Sequence, residues 1–285
     1  MAHQKLISYQ IDDYYEFICG WGAAFINITL TFPVNKVMFR QMRDGVATSK
    51  AIQQLKHEGF HYLYRGILPP LIQKTISVSI MFGTYSQYGY MLEKTFPSIP
   101  KPICLGIAAT LAGNTEALLT PFERIQTLMQ DRNYHTKFRN TFHACMELQK
   151  FGIKEFYRGL VPILLRNGPS NVMFFGLRSS VKDNLPKTSY WWEELLTDFI
   201  SGAAVGSIIS TVFYPVNVIK TKMQVCYGTP YIGIVEAFRL TYAERGYSFR
   251  KLFYGVHINY TRALLSWGII NASYELLKRT FFPHV

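Results

Sequence analysis

Pro33–Met42 reads PVNKVMFRQM, Pro121–Gln130 reads PFERIQTLMQ and Pro215–Gln224 reads PVNVIKTKMQ. Each stretch ends an apolar run with a proline and continues into a polar, charged cluster. About thirty to forty residues further on, each is followed by an aromatic-rich corner: Tyr64-Arg65-Gly66, Tyr157-Arg158-Gly159 and Phe253-Tyr254-Gly255. The prolines are 88 and 94 residues apart and the corner glycines 93 and 96. A period shared by two unrelated markers means three structural repeats. We place them at 1–100, 101–192 and 193–285.

Each repeat holds two long apolar segments flanking a polar amphipathic stretch. The first segments run over about Tyr14–Met42, Pro102–Gln130 and Leu195–Gln224. The second run over about Leu68–Glu93, Val161–Asn184 and Val256–Arg279. Each matches the roughly 20 residues needed to cross a hydrocarbon core, with tilt. The expected fold is therefore an all-α membrane protein of six transmembrane helices in three two-helix repeats, arranged with pseudo-threefold symmetry around a central cavity. Gly20/Ala24, Ala108/Ala112 and Gly202/Gly206 place small residues four apart at the same register before each proline, a pattern that lets membrane helices approach closely. Pro33, Pro121 and Pro215 each remove a backbone hydrogen bond and are expected to kink their helices at one depth.

Composition agrees with partly wet helices. The chain is 49% hydrophobic and only 17% charged, against about a quarter charged in soluble domains. Its mean hydropathy is nevertheless only +0.06. The net charge is +12, and 19 of the 30 Lys and Arg fall in 36–66, 124–158 and 220–251. This partition puts the three long connections on the positive side and both termini on the other. Because the basic stretches alternate with spans, a lipid surface explains them better than nucleic acid does. GxxxxGK[ST], HExxH and GxSxG are absent, and Gly20-Trp21-Gly22 lacks the third glycine of a dinucleotide fingerprint, so no enzyme is expected. Cys19, Cys104, Cys145 and Cys226 form no CxxC pair and read as packing residues, with no metal. Met1–Tyr15 has no apolar stretch and carries Asp12 and Asp13, so targeting information is expected to be internal.

The chain resembles the mitochondrial carrier family (solute carrier family 25) over essentially its whole length. The family's odd helices carry Pro, any, Asp/Glu, two of any, Lys/Arg, any, Lys/Arg, any, Gln. The resemblance implies short matrix helices between the spans and a matrix gate in which the acid of one repeat pairs with the base of another. Here the acid positions hold Asn35, Glu123 and Asn217, and the base positions hold Met38, Gln126 and Lys220. Only Glu123 and Lys220 are left to pair. The bracing glutamine is Met42 in repeat one and survives as Gln130 and Gln224. The even-helix signature is similarly reduced, leaving Lys182 and Glu275 as the intermembrane-space gate.

Seven residues after each corner glycine stand Gln73, Arg166 and Arg262; one further stand Lys74, Asn167 and Ala263. The resemblance places substrate contacts at this depth. Intramembrane cations normally face a wet interior or a partner, and arginine can hold phosphate bidentately. Glu116 is the lone carboxylate nearby, either neutralising a cation or meeting a positive part of the substrate. Asn27, Asn171, Asn259 and Asn271 add amides; Phe175, Tyr260 and Trp267 offer stacking or packing surfaces. Two phosphates, flat rings and a local positive charge describe NAD+, although CoA, FAD and other nucleotides fit the same collection. YRGILPPLIQK (Tyr64–Lys74), NTEALLTPFERIQTLMQD (Asn114–Asp131), YRGLVPILLRNGPSNVMFFGLR (Tyr157–Arg178) and SWGIINASYE (Ser266–Glu275) resemble the NAD+-transporting members. The resemblance thus implies import of NAD+ through the inner mitochondrial membrane by alternating access, in a monomer without a cofactor. A carrier of another anionic cofactor, or a carrier-fold scaffold that no longer transports, stays open. Cardiolipin is the expected structural lipid. Gly66, Gly159 and Gly255 either present helix N-terminal amides to its phosphates or simply permit tight turns.

Overall fold

The computed structural model describes residues 2–184 and 204–281. Long helices are α1 (Ala2–Asp44), α4 (Leu68–Thr95), α5 (Lys101–Glu116), α6 (Thr120–Gln130), α8 (Leu160–Asn184), α9 (204–212), α10 (Tyr214–Val225) and α12 (Val256–Phe281). Between them lie the short helices α2 (Thr48–Glu58), α3 (Phe60–Leu63), α7 (Thr141–Gln149) and α11 (Ile234–Glu244). No strand occurs among the described residues. Prolines open α4, α5, α6 and α10 in the first turn, where the missing N–H has no helical partner anyway. Asn140 caps α7 by accepting from the His143 amide at 2.8 Å.

The long helices close a ring. Contacts run from α1 to α4, α4 to α5 and α6, α5 to α8 and α8 to α10; α9 meets α12 through Thr211 and Tyr260, and α12 returns to α1, while at one end α10 meets both α1 and α6. The three prolines act differently from one another. Pro33 sits inside a continuous α1. Pro121 follows a 3-10 turn, Ala117–Leu119, that separates α5 from α6, and Pro215 follows a break at Phe213. The carbonyl that Pro121 cannot reach, that of Ala117, accepts from the Thr120 hydroxyl. The backbone N–H of Thr120 donates to the same carbonyl, so one residue's amide and hydroxyl together satisfy the group the proline cannot reach.

The small-residue pattern holds in one repeat and fails in another. Ala108 and Ala112 are fully buried, and beside them Gly113 lies so close to α8 that a Cβ there would stand 2.9 Å from the Asn167 carbonyl. In repeat one, Gly20 is exposed with nothing nearby. The close approach falls two residues on, at Gly22, whose Cβ would meet Leu277 of α12 at 2.7 Å. Gly206 also faces open space, while Gly202 and the expected span start at Leu195 lie outside the described residues. Spacing four apart recurs on every face of a helix; only packing shows which face is the seam.

Large apolar side chains cover the outside. Ile103, Ile107, Leu111 and Leu118 expose one face of α5 and its extension, and Ile208 and Val212 do the same on α9. Contiguous exposed apolar surface of this kind marks contact with lipid or protein. Among the described residues, 101–130 alone forms a helical stretch long and apolar enough to cross a membrane on those criteria. The other long helices carry polar groups such as Lys36, Arg40, Arg166 and Arg262, which lowers their average hydropathy.

Each repeat clasps the next. Gly66, Gly159 and Gly255 have φ of 88°, 82° and 99°, a region open to glycine and strained for other residues. A Cβ at these positions would reach 2.9 Å from Met129 of α6, 2.9 Å from Gln224 of α10 and 3.0 Å from Gln41 of α1. Arginines make the same circuit. Arg65 donates to the Phe138 and Tyr134 carbonyls, Arg158 to the Thr229 carbonyl, and Arg245 to the carbonyls of Gln41 and Met42. The corner of repeat three has no base, and Arg245 at the end of α11 takes its place.

Candidate functional site

At the end where α1, α6 and α10 converge, Lys220 Nζ lies 2.9 Å from Glu123 Oε2, with side chains 15% and 20% exposed. The pair joins repeats two and three as expected. Its second oxygen, Glu123 Oε1, accepts from Gln73 Nε2 at 3.3 Å. Gln73, read as a substrate-level residue, therefore reaches the gate. The signature glutamines make no hydrogen bond to the pair, although Gln130 lines the same cavity. Gln130 and Gln224 are buried beneath the corners at Gly66 and Gly159, and Gln224 Oε1 accepts instead from Thr127 at 3.1 Å. Where the other two ion pairs are missing, a cavity of about 200 Å³ remains, lined by Asn35, Met38, Met42, Gln126 and the Glu123–Lys220 pair.

One level further in, α8 presents Arg166 and Asn167. Arg166 Nη1 donates to Asn217 Oδ1 at 3.0 Å, and its Nη2 and Nε to Asn167 Oδ1 at 2.7 and 3.0 Å. Asn167 Nδ2 donates in turn to the Gly113 carbonyl at 3.2 Å. This chain of bonds, made possible by the absence of a Cβ at Gly113, fixes the guanidinium. Lys74 of α4 is within electrostatic reach of Glu116 and Arg262, yet among the described residues it makes no ion pair. It retains accessible surface while standing near side chains of α5 and α12, as a residue on a cavity wall does. Glu116 accepts from the Ser77 hydroxyl. Arg262 Nη2 donates to Asn259 Oδ1 at 3.1 Å, while its Nε is buried with no partner. Asn27 Oδ1 is likewise buried and unpaired, Asn171 donates to the Ala109 carbonyl at 3.4 Å, and Tyr260 bonds Thr211. The side chains of Phe175, Lys182, Trp267, Asn271 and Glu275 lie outside the described residues, so the expected second gate is not among them.

Sequence reading missed a set of paired cations, some of them fully buried, that build the narrow end. Arg40, fully buried, takes both oxygens of Glu58 at 2.7 and 2.8 Å. Lys222, at the same signature position in repeat three, pairs with Glu244 at 2.6 Å. Repeat two has Leu128 there, and Arg124 substitutes, meeting Glu155 at 2.6 Å. Glu155 also holds Arg158 at 2.7 Å. Arg43 bridges to Asp131 at 2.8 Å and so ties repeats one and two. The second basic position of PVNKVMFR and PVNVIKTK, each with a glutamate some twenty residues on, was the available signal. Beside this set, His135 stacks on Tyr62 with ring centroids 4.3 Å apart. Burial first, then Lys36, Arg65 and Arg40, push its pKa down to about 3.

The family described as mitochondrial carrier protein matches three times, over residues 10–96, 97–189 and 192–285. The mitochondrial nicotinamide adenine dinucleotide transporter SLC25A51 of Homo sapiens is 49% identical over 261 residues, covering 92% of this chain and 88% of that protein. Its Mus musculus counterpart is 46% identical over 267 residues, 94% and 90%. The mitochondrial arginine transporter BAC2 of Arabidopsis thaliana is 29% identical over 277 residues, 94% and 91%. With three tandem matches covering the chain, and the ring of helices each repeat contributes, this protein belongs to the mitochondrial carrier family.

Proposed function

We propose that this carrier, a multi-pass protein of the inner mitochondrial membrane, brings NAD+ into the matrix. Lys74, Arg166 and Arg262 hold the pyrophosphate, with Asn167 fixing Arg166 and Glu116 placed for the nicotinamide end. The observation that carries the reading is Arg262. Among the described residues its guanidinium meets no carboxylate, only the Asn259 amide oxygen, and Lys74, within electrostatic reach of it, makes no ion pair there either. Neighbouring partly buried cations without an ion pair are costly unless an anion satisfies them, and a phosphate oxygen accepts from both groups. The names of the Homo sapiens and Mus musculus relatives favour NAD+ over CoA, FAD or other nucleotides.

In the closed end, Glu123 and Lys220 attract each other, Gln73 holds the free carboxylate oxygen, and the helices converge. The ring is therefore shut toward the matrix, and substrate enters from the opposite side. The cavity lies within one chain, so a monomer suffices. An apolar groove of about 590 Å³ between α1, α2 and α12, lined by Val34, Val37, Ile52, Leu55 and Ile258, supports seating lipid acyl chains. The nearby Gly255 corner would supply amides to a cardiolipin phosphate.

The test is uptake of labelled NAD+ into cardiolipin-containing proteoliposomes, with NADH, nicotinamide mononucleotide, ATP and CoA as competitors. Selective uptake reduced at least a hundredfold in Arg262→Ala supports the reading. Unchanged uptake in that variant removes the site, uptake of another anion removes the substrate, and no uptake by folded protein favours a scaffold.

A further inference from the structure

Two side chains at the substrate level are bonded to the gate. Gln73 Nε2 reaches Glu123 Oε1 at 3.3 Å, and Arg166 Nη1 reaches Asn217 Oδ1 at 3.0 Å. Asn217 occupies the acid position of the third signature, on the first turn of α10, three residues before Lys220. Arg166 is also within electrostatic reach of both Glu123 and Lys220. These two contacts therefore tie α4 to α6 and α8 to α10, across the levels at which substrate is held and the ring is closed.

We infer that Gln73 and Asn217 form a substrate-released latch, positioning residues that hold the matrix gate shut until an anion takes Arg166 away from Asn217. The inference rests on the proposed cavity site and adds to it how occupancy reaches the gate. A phosphate oxygen is a stronger acceptor for a guanidinium than a neutral amide oxygen. When it engages Arg166, Asn217 loses its partner and Glu123 loses a second cation. With one ion pair in place of three and a cavity of about 200 Å³ beside it, the gate pair then keeps only the Gln73 bond. A latch built from a neutral amide also accounts for Asn at position 217: an aspartate there would pair with Arg166 by charge and compete with the ligand.

The test reads gate opening directly. Cys19, Cys104, Cys145 and Cys226 are replaced by serine, and Gln126→Cys, on the gate cavity wall, reports access. A membrane-impermeant maleimide is added to the matrix face of inverted inner-membrane vesicles. Without ligand, Gln73→Ala and Asn217→Ala should raise labelling about tenfold each, as expected for loss of a bond to a charged group. Asn217→Asp should lower it and slow uptake. NAD+ should raise labelling in the reporter protein and add little in Asn217→Ala. Unchanged ligand-free labelling in both alanine variants, or movement of Asn217→Ala and Asn217→Asp in the same direction, overturns the latch. If the ligand-free differences appear but NAD+ has no effect, the latch stands and the substrate assignment falls.

Discussion

Removing one charge of the gate should cost more than removing both. In Glu123→Gln the lysine at 2.9 Å is left without its acid, and Arg166, within reach of both groups, now only repels it. Coulomb attraction at that separation is about 6 kcal/mol at an effective dielectric constant of about 20. Desolvation of the two partly buried groups offsets a large share of this. Breaking a buried pair from one side costs about 3–5 kcal/mol, whereas replacing both partners with neutral groups of similar volume is often near neutral. The 15–20% exposure of these side chains points to the lower part of that range, about 3 kcal/mol. At roughly 2–4 °C per kcal/mol, Glu123→Gln should lower the thermal transition of the purified carrier in detergent by about 6–12 °C. Glu123→Gln with Lys220→Met should recover at least half of that loss, and Glu123→Lys with Lys220→Glu most of it. If the double neutral variant is as unstable as the sum of the singles, direct pairing is not what stabilises the closed form.

Three further outcomes are expected. Gly113→Ala places a Cβ 2.9 Å from the Asn167 carbonyl, so it should cost about 1–3 kcal/mol by overpacking and reduce transport by displacing Arg166; thermal unfolding and uptake read the two effects separately. Gly255→Ala meets the Tyr214 hydroxyl and adopts φ of 99°, so it should destabilise by at least about 1–3 kcal/mol, while Gly206→Ala, in open space, should be silent in the same melt. His135 has its pKa pushed down to about 3, so below about pH 6.5 the unfolded chain takes up a proton that the folded protein refuses. Stability present above that pH should fall progressively as pH drops toward 3. His135→Gln should flatten this slope in a series of melts, and an unchanged slope would show that the ring is not held neutral.

Much of this protein could be read along the chain because its repeats write each element three times. Three prolines and three corner glycines in register locate six long helices, and the one surviving acid and base at signature positions name the gate pair. What spacing did not carry is which face of a helix meets which neighbour. Gly20 and Gly22 are equally small, and only Leu277 across the interface makes Gly22 the seam. Gln73, Lys74 and Arg166 sit at cavity depth by counting from the corners. Yet Gln73 and Arg166 turn to the gate residues Glu123 and Asn217, while Lys74 makes no ion pair among the described residues.

The sequence by itself determined the repeat, the helices and the chemical inventory, since those follow from backbone periodicity and side-chain type within short windows. The tertiary structure alone decided which charges are spent on architecture and which stay available. Arg40, Arg124 and Arg43 find acids at Glu58, Glu155 and Asp131, Arg65 and Arg245 find carbonyls, and Arg262 finds only the amide oxygen of Asn259. That division depends on distances between residues up to about two hundred positions apart, which the fold sets by closing the ring and local sequence does not contain.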